Sequence, residues 1–239
     1  MTEKMTEKGK LWITRITAVL LLISMYMVGR ETAVYVMGRN MVKGDASEKC
    51  VVIDAGHGGM DPGKIGINNM AEKDINLSIA WKVKKYLEFN DVRVVMTRES
   101  DQGLNDPDAS NKKVQDMKRR LELIEDTDPD LAVSIHQNSY PEEYVHGAQV
   151  FFYADSLVGK QLAELLQAQL VEKADPDNTR RIKPNDSYYL LKKTSVPIVI
   201  VECGFLSNWE EAEKLCGEAY QEKIAWAICV GILQHLNMK

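Results

Sequence analysis

From Cys50 to Leu236 the chain alternates short apolar runs with stretches of helical period. Five runs rich in branched residues are predicted strands: Cys50–Ile53, Val92–Met96, Leu131–Ile135, Ala148–Tyr153 and Ile198–Val201. Between them, Asp74–Phe89, Lys112–Glu125 and Leu157–Glu172 have a helical pattern, and two more helices close the chain around Trp209–Cys216 and Ala219–Leu236. In the first helix Ile75, Ile79, Val83 and Leu87 recur every four residues, which places them on one face. The strands are apolar on both faces, as expected when helices cover both sides of a mainly parallel sheet. The predicted fold class is α/β, in a single domain.

The amino terminus has a different pattern. Ile16 to Gly29 carries no charge, and Lys4, Lys8, Lys10 and Arg15 stand ahead of it. Counted from Leu11, with Arg15 reaching back to the headgroups, the run approaches the ~20 residues of a spanning helix. Basic residues before a span keep that end cytoplasmic and send the downstream chain across the membrane. No small-x-small cleavage site stands out before Arg30, which favours an uncleaved anchor over a cleaved secreted form. The expected organisation is a cytoplasmic tail and signal-anchor helix over 1–37, a polar linker over 38–48 and a catalytic domain over 49–239.

Composition narrows the picture further. A hydrophobic content of 45% and a charged content of 27% are those of a globular protein. The net charge of −5, without a long basic run, argues against nucleic acid as a partner. Cys50, Cys203, Cys216 and Cys229 form no CxxC pair and are read as structural thiols, although export would permit a Cys216–Cys229 bridge.

The chemistry gathers where the strands end, which is where open α/β sheets bind ligands. The first run leads into "DAGHGGMDPG" with His57, the third ends on His136 in "VSIHQNS", and the fifth runs into Glu202 in "VIVECGFLSN". Glu72 stands at the mouth of the first helix. Two readings of the glycine-rich turn compete: a phosphate cradle, or a metal site in which glycines keep bulk away from the ion. GxGxxG in register and GK[ST] are both missing, and Pro62 interrupts the helix start, so the cradle weakens. Each residue alone has a bland explanation: a turn histidine, a helix-terminal acid, a core histidine, or a buried acid paired with Arg98 or Lys183. Together, two His and a carboxylate make a standard catalytic zinc set with a position open for water. His146 reads as a loop residue and His235 as a solvated position on the last helix.

At these residues the chain resembles the zinc-dependent N-acetylmuramoyl-L-alanine amidases of the Amidase_3 family. "VVIDAGHGGMDPG", "EKDINLSIAWKVKKYL", "VVMTRESD", "LAVSIHQNS" and "VPIVIVECGFLSN" occur in the family's order. The resemblance implies a mixed, mostly parallel sheet of about six strands and one Zn²⁺ held by His57, Glu72 and His136. It also implies Glu202 as the catalytic acid–base group and peptidoglycan strands with stem peptides as the substrate. Among the subfamilies it is closest to the sporulation- and germination-specific CwlD type, which implies removal of stem peptides from the spore cortex so that muramic-δ-lactam can form. The family's Asn in the helix before the second His is matched here by Glu125, and its frequent alanine after that His by Gln137; neither is expected to touch a ligand, and both are expected to shape substrate contacts.

Around this core, Asp54 is expected to orient His57. Asn138 and Arg98 are candidates for substrate or supporting contacts, with turn capping and a structural ion pair as the alternatives. The loop Asp175–Ser187 is either a substrate rim, in which Arg180, Arg181 and Lys183 meet peptide carboxylates, or a solvated loop. No autoinhibitory helix comes after the second His, so control is expected from an accessory activator protein, the membrane or timed expression. Two rival readings are another zinc hydrolase of the wall, a peptidase or deacetylase, and a membrane-tethered wall-binding protein without catalysis. The second would be marked by a lost ligand or base, and all four positions are intact.

Overall fold

The computed structural model describes residues 48–238 and six helical positions between Trp12 and Ser24. Contacts divide the chain into two units at Ser47/Glu48, and the second unit is the α/β domain. The anchor and the linker expected ahead of it lie mostly outside the described residues. Among the described residues, no helix is long and apolar enough to cross a membrane.

Six strands form one sheet: β1 (Cys50–Ala55), β2 (Arg93–Met96), β3 (Leu131–Asn138), β4 (Gln149–Phe152), β5 (Lys183–Pro184) and β6 (Ile198–Phe205), in the order β2-β1-β3-β6-β4-β5. Pairing is parallel except between β4 and β6. The helices are α1 (Glu72–Phe89), α2 (Lys112–Thr127), α3 (Leu157–Gln169, continued by a π turn over Leu170–Ala174), α4 (Tyr189–Lys193), α5 (Trp209–Cys216) and α6 (Glu218–Leu236).

The expected double-sided burial is present. β1 and β6 are buried along their whole length. Alternate residues divide between two cores: Val51, Ile53, Val133, Ile135, Val199 and Val201 pack towards α1, α3 and α6, whereas Val52, Ala132, Ile198 and Ile200 pack with residues of α2 and α4. The strand period of two makes this division automatic. Register then sets His136 of β3 beside Glu202 of β6.

Two elements have no counterpart in the hydrophobic pattern. β5 is a two-residue exposed strand containing Pro184, and α4 is a five-residue helix. β5 lies in a polar stretch, and α4 buries only the pair Leu190 and Leu191, too few residues to show a period. His235 is also a correction: it is buried, with 3% of its surface exposed. α6 packs on both α1 and α3, so two of its faces are covered and the polar neighbours of His235 do not carry it into solvent.

Candidate metal centre and active site

β1 delivers the backbone to Gly56 and His57, and His57 takes a left-handed conformation with φ 62°. An L residue there costs about 1–2 kcal/mol, so something must hold it. Two buried arginines grip the three carbonyls in a row. Arg98 donates to the carbonyls of Ala55 (2.9 Å) and Gly56 (3.0 Å). Arg120 donates to those of Ala55 (2.8 Å) and His57 (2.6 Å).

The glycines make room. A Cβ on Gly56 would run into the His136 imidazole, and one on Gly63 would lie 2.5 Å from Glu72 Oε2 and 2.6 Å from His57 Cδ2. Gly63 also has φ +66°, so a side chain there would be strained as well as obstructed.

Three side chains converge on the space this leaves. Glu72 Oε1 lies 3.2 Å from His57 Nε2 and 3.0 Å from His136 Nδ1. One ligand atom from each residue falls within 4.8 Å of the others, a grouping that could hold a metal ion. Glu72 begins α1 but does not cap it. Its carboxylate turns inward to accept from the backbone N–H groups of Lys64 (2.8 Å) and Gln137 (3.0 Å), with Asn76 Nδ2 at 3.3 Å. Burial works to raise the Glu72 carboxyl, but hydrogen bonds from His136 and His57 outweigh it and hold it well below the usual carboxylate range. For His57, burial disfavours the charged ring, yet Glu72 and Asp61 prevail and its pKa is raised.

Glu202 lines the same cavity, a space of about 130 Å³ whose walls include His57, His136, Tyr188, Met117 and Leu190. Its carboxylate is buried, with 6% of the residue exposed. Tyr188 Oη lies 3.3 Å from Oε1, and buried Oε2 has no hydrogen-bond partner among the described residues. Burial, assisted by the Glu72 charge, pushes the carboxyl up to about 7, against the opposing effects of His136 and Tyr188. A carboxyl so poised can accept and return a proton near neutral pH.

The surrounding residues fall into place differently from the sequence reading. Asp54 does not meet His57. It pairs with Arg120 at 2.6 Å and accepts from Thr97 and Ser134, so it reaches His57 only through Arg120. The carboxylate on His57 Nδ1 is that of Asp61, at 2.9 Å. Arg98 is spent on backbone carbonyls, including those of Ser100 and Lys73. Asn138 Oδ1 accepts from the Ser139 N–H. Arg180 donates to the His146 carbonyl and stacks over Phe205, and Lys183 lies over Phe151; neither lines the cavity. Gln137 is buried behind Glu72: its N–H binds that carboxylate and its side chain binds Asn76, so it braces a ligand-set residue directly. Glu125 accepts from the Ser195 N–H, tying α2 to the turn before β6.

Asp61, Arg120 and Tyr188 were missed in the sequence. Asp61 had a usable signal, since it stands four residues after His57 inside the same glycine-rich turn. Arg120 had none, because "KRRLELIED" reads as the solvated side of a helix.

Comparison with known proteins supplies the remaining context. The family model Amidase_3, described as N-acetylmuramoyl-L-alanine amidase, matches residues 51–234. The germination-specific N-acetylmuramoyl-L-alanine amidase of Bacillus subtilis is 36% identical over 196 residues, covering 81% of this chain and 82% of that one. The CwlD amidase of Clostridioides difficile, solved in complex with the GerS lipoprotein, superposes with a TM-score of 0.78 at 40% identity over 80% of this chain and all of that one. The amidase AmiC2 of Nostoc punctiforme gives 0.71 at 32% identity, over 80% of this chain and 99% of that one.

Proposed function

The chain belongs to the Amidase_3 family of N-acetylmuramoyl-L-alanine amidases, and on that premise we propose a zinc-dependent, membrane-anchored amidase of the spore cortex. The family's reaction is hydrolysis of the amide between the lactyl group of N-acetylmuramic acid and L-alanine in peptidoglycan, outside the cytoplasmic membrane. The observation that carries the zinc assignment is the convergence of His57, Glu72 and His136. Tetrahedral zinc with bonds of about 2.0–2.1 Å sets neighbouring ligand atoms roughly 3.3 Å apart. The 3.2 Å and 3.0 Å separations at Glu72 Oε1 fit that spacing, and the donor set of two imidazoles and one carboxylate fits zinc chemistry.

When bound, zinc polarises the amide carbonyl and acidifies water at the open position. Glu202 takes the proton of the attacking water. The carbonyl carbon gains oxygen, the C–N bond breaks, and Glu202 returns the proton to the departing alanine nitrogen. The products are a glycan with a free lactyl carboxylate and a peptide with a free amino terminus. Asp61 keeps His57 in the tautomer that presents Nε2. Arg98 and Arg120 keep the turn formed before any ligand arrives.

The cortex role, with stem-peptide removal preceding muramic-δ-lactam formation, rests on similarity to the Bacillus subtilis germination-specific enzyme. An accessory protein fits the same reading, since the Clostridioides difficile relative is described in complex with a lipoprotein. Anchoring rests on the amino-terminal sequence, with residues 1–37 as tail and anchor, 38–48 as linker and 49–239 as the catalytic domain.

The test is digestion of intact peptidoglycan by the purified protein with and without Zn²⁺, read by mass spectrometry. Peptides with free N-terminal L-alanine should appear only with zinc. Glu202→Gln should keep zinc and lose turnover, whereas His57→Ala and His136→Ala should lose both.

A further inference from the structure

We propose that Tyr188 is a positioning residue for Glu202, a role that rests on the assignment of Glu202 as the proton-transfer group. Among the described residues, the only hydrogen bond to the Glu202 carboxylate comes from the Tyr188 hydroxyl, at 3.3 Å from Oε1. Oε2 is buried and has no partner among those residues. The last torsion of a glutamate is broad and roughly two-fold, so the carboxylate has no intrinsic preference for one rotation over another. A single donor on Oε1 fixes the rotation of the carboxylate about that torsion.

The tyrosine is itself held in place. Its backbone N–H donates to Asn185 Oδ1 at 2.8 Å, and its ring meets Phe151 edge-on with centroids 5.6 Å apart. Both anchors are independent of the hydroxyl, so the ring stays in place when the hydroxyl is removed. Burial, with the neighbouring Glu202 charge, pushes the phenol up to about 12, which keeps it a donor at neutral pH. The residue lies just before α4, in the stretch that the hydrophobic pattern leaves blank.

Tyr188→Phe retains the ring and its packing and deletes only the hydroxyl. A hydrogen bond to a charged group is worth enough that kcat on a soluble muramoyl-peptide should fall roughly ten- to a hundredfold. KM and the zinc affinity measured by chelator competition should stay at wild-type values. In the metal-free protein, the ¹³C resonance of the Glu202 carboxyl, identified by its loss in Glu202→Gln, should shift in Tyr188→Phe. A normal kcat, or a raised KM with kcat intact, overturns the proposal; the second result would make Tyr188 a substrate contact. Glu202→Gln separates the two possible failures. Full activity in that variant removes the base itself and Tyr188's role with it, whereas an inactive Glu202→Gln beside an unimpaired Tyr188→Phe removes Tyr188 alone.

Discussion

His57 is held in position by neighbours that never touch an ion. Its ring is fixed through Nδ1 by Asp61, and its strained backbone by Arg120 and Arg98. Removing the outer partner of a metal-binding imidazole typically weakens the metal 10–100-fold. Asp61→Asn should therefore lower zinc affinity by about that factor in chelator competition, with the fold intact by circular dichroism. Gly56→Ala should do more, because the added methyl has nowhere to go but into the His136 ring. Zinc binding should be lost, and calorimetry should show none at micromolar metal. His57, His136 and Glu202 stand out in the sequence because each follows or ends an apolar strand run, and Glu72 because it opens the first helix. Asp54 misled for the same reason: it is an acid at the right strand end, but its side chain points to the α2 side, where Arg120 waits.

Between elements, the Asp54–Arg120 pair ties β1 to α2, with Thr97 and Ser134 adding the flanking segments. Burial works to raise the Asp54 carboxyl from its ordinary 3.8, but Arg120 and the hydroxyl donors prevail and lower it to about 2. The folded value lies below the unfolded one, so the contribution is complete above about pH 4 and is lost as pH falls through 2. It amounts to roughly 2 kcal/mol. Denaturant melts at pH 7, 4 and 2 should show that decline, and Asp54→Asn should flatten it while lowering stability at every pH. At α5, Asn208 Oδ1 accepts from the Glu211 N–H, and Asn208→Ala should cost about 1 kcal/mol in the same melts. The strands and long helices could be read because each buries a periodic face. β5 and α4 could not, because neither is long enough to show a period: β5 is two exposed residues, and α4 offers only Leu190 and Leu191 to the core after the Asn185 turn.

Across the whole domain, the ends of three interior strands and one helix start supply the candidate metal ligands and base, so metal binding should be felt globally. A ligand present at 100 times its dissociation constant stabilises the folded state by about 2.7 kcal/mol. For a domain of this size that corresponds to a melting temperature roughly 5–10 °C higher with zinc than after chelation. Differential scanning calorimetry with and without EDTA checks this, and His136→Ala should abolish the difference.

β1 has one more consequence. It enters the sheet at Cys50, directly after the amino-terminal unit, and runs between two parallel neighbours to the turn that carries His57. Tension applied through the amino terminus would therefore load β1 lengthwise, in shear against β2 and β3 at once. Bonds along both edges would share that force and yield together, not one by one as in an unzipping hairpin. The strand that would resist such a pull is the one that presents His57.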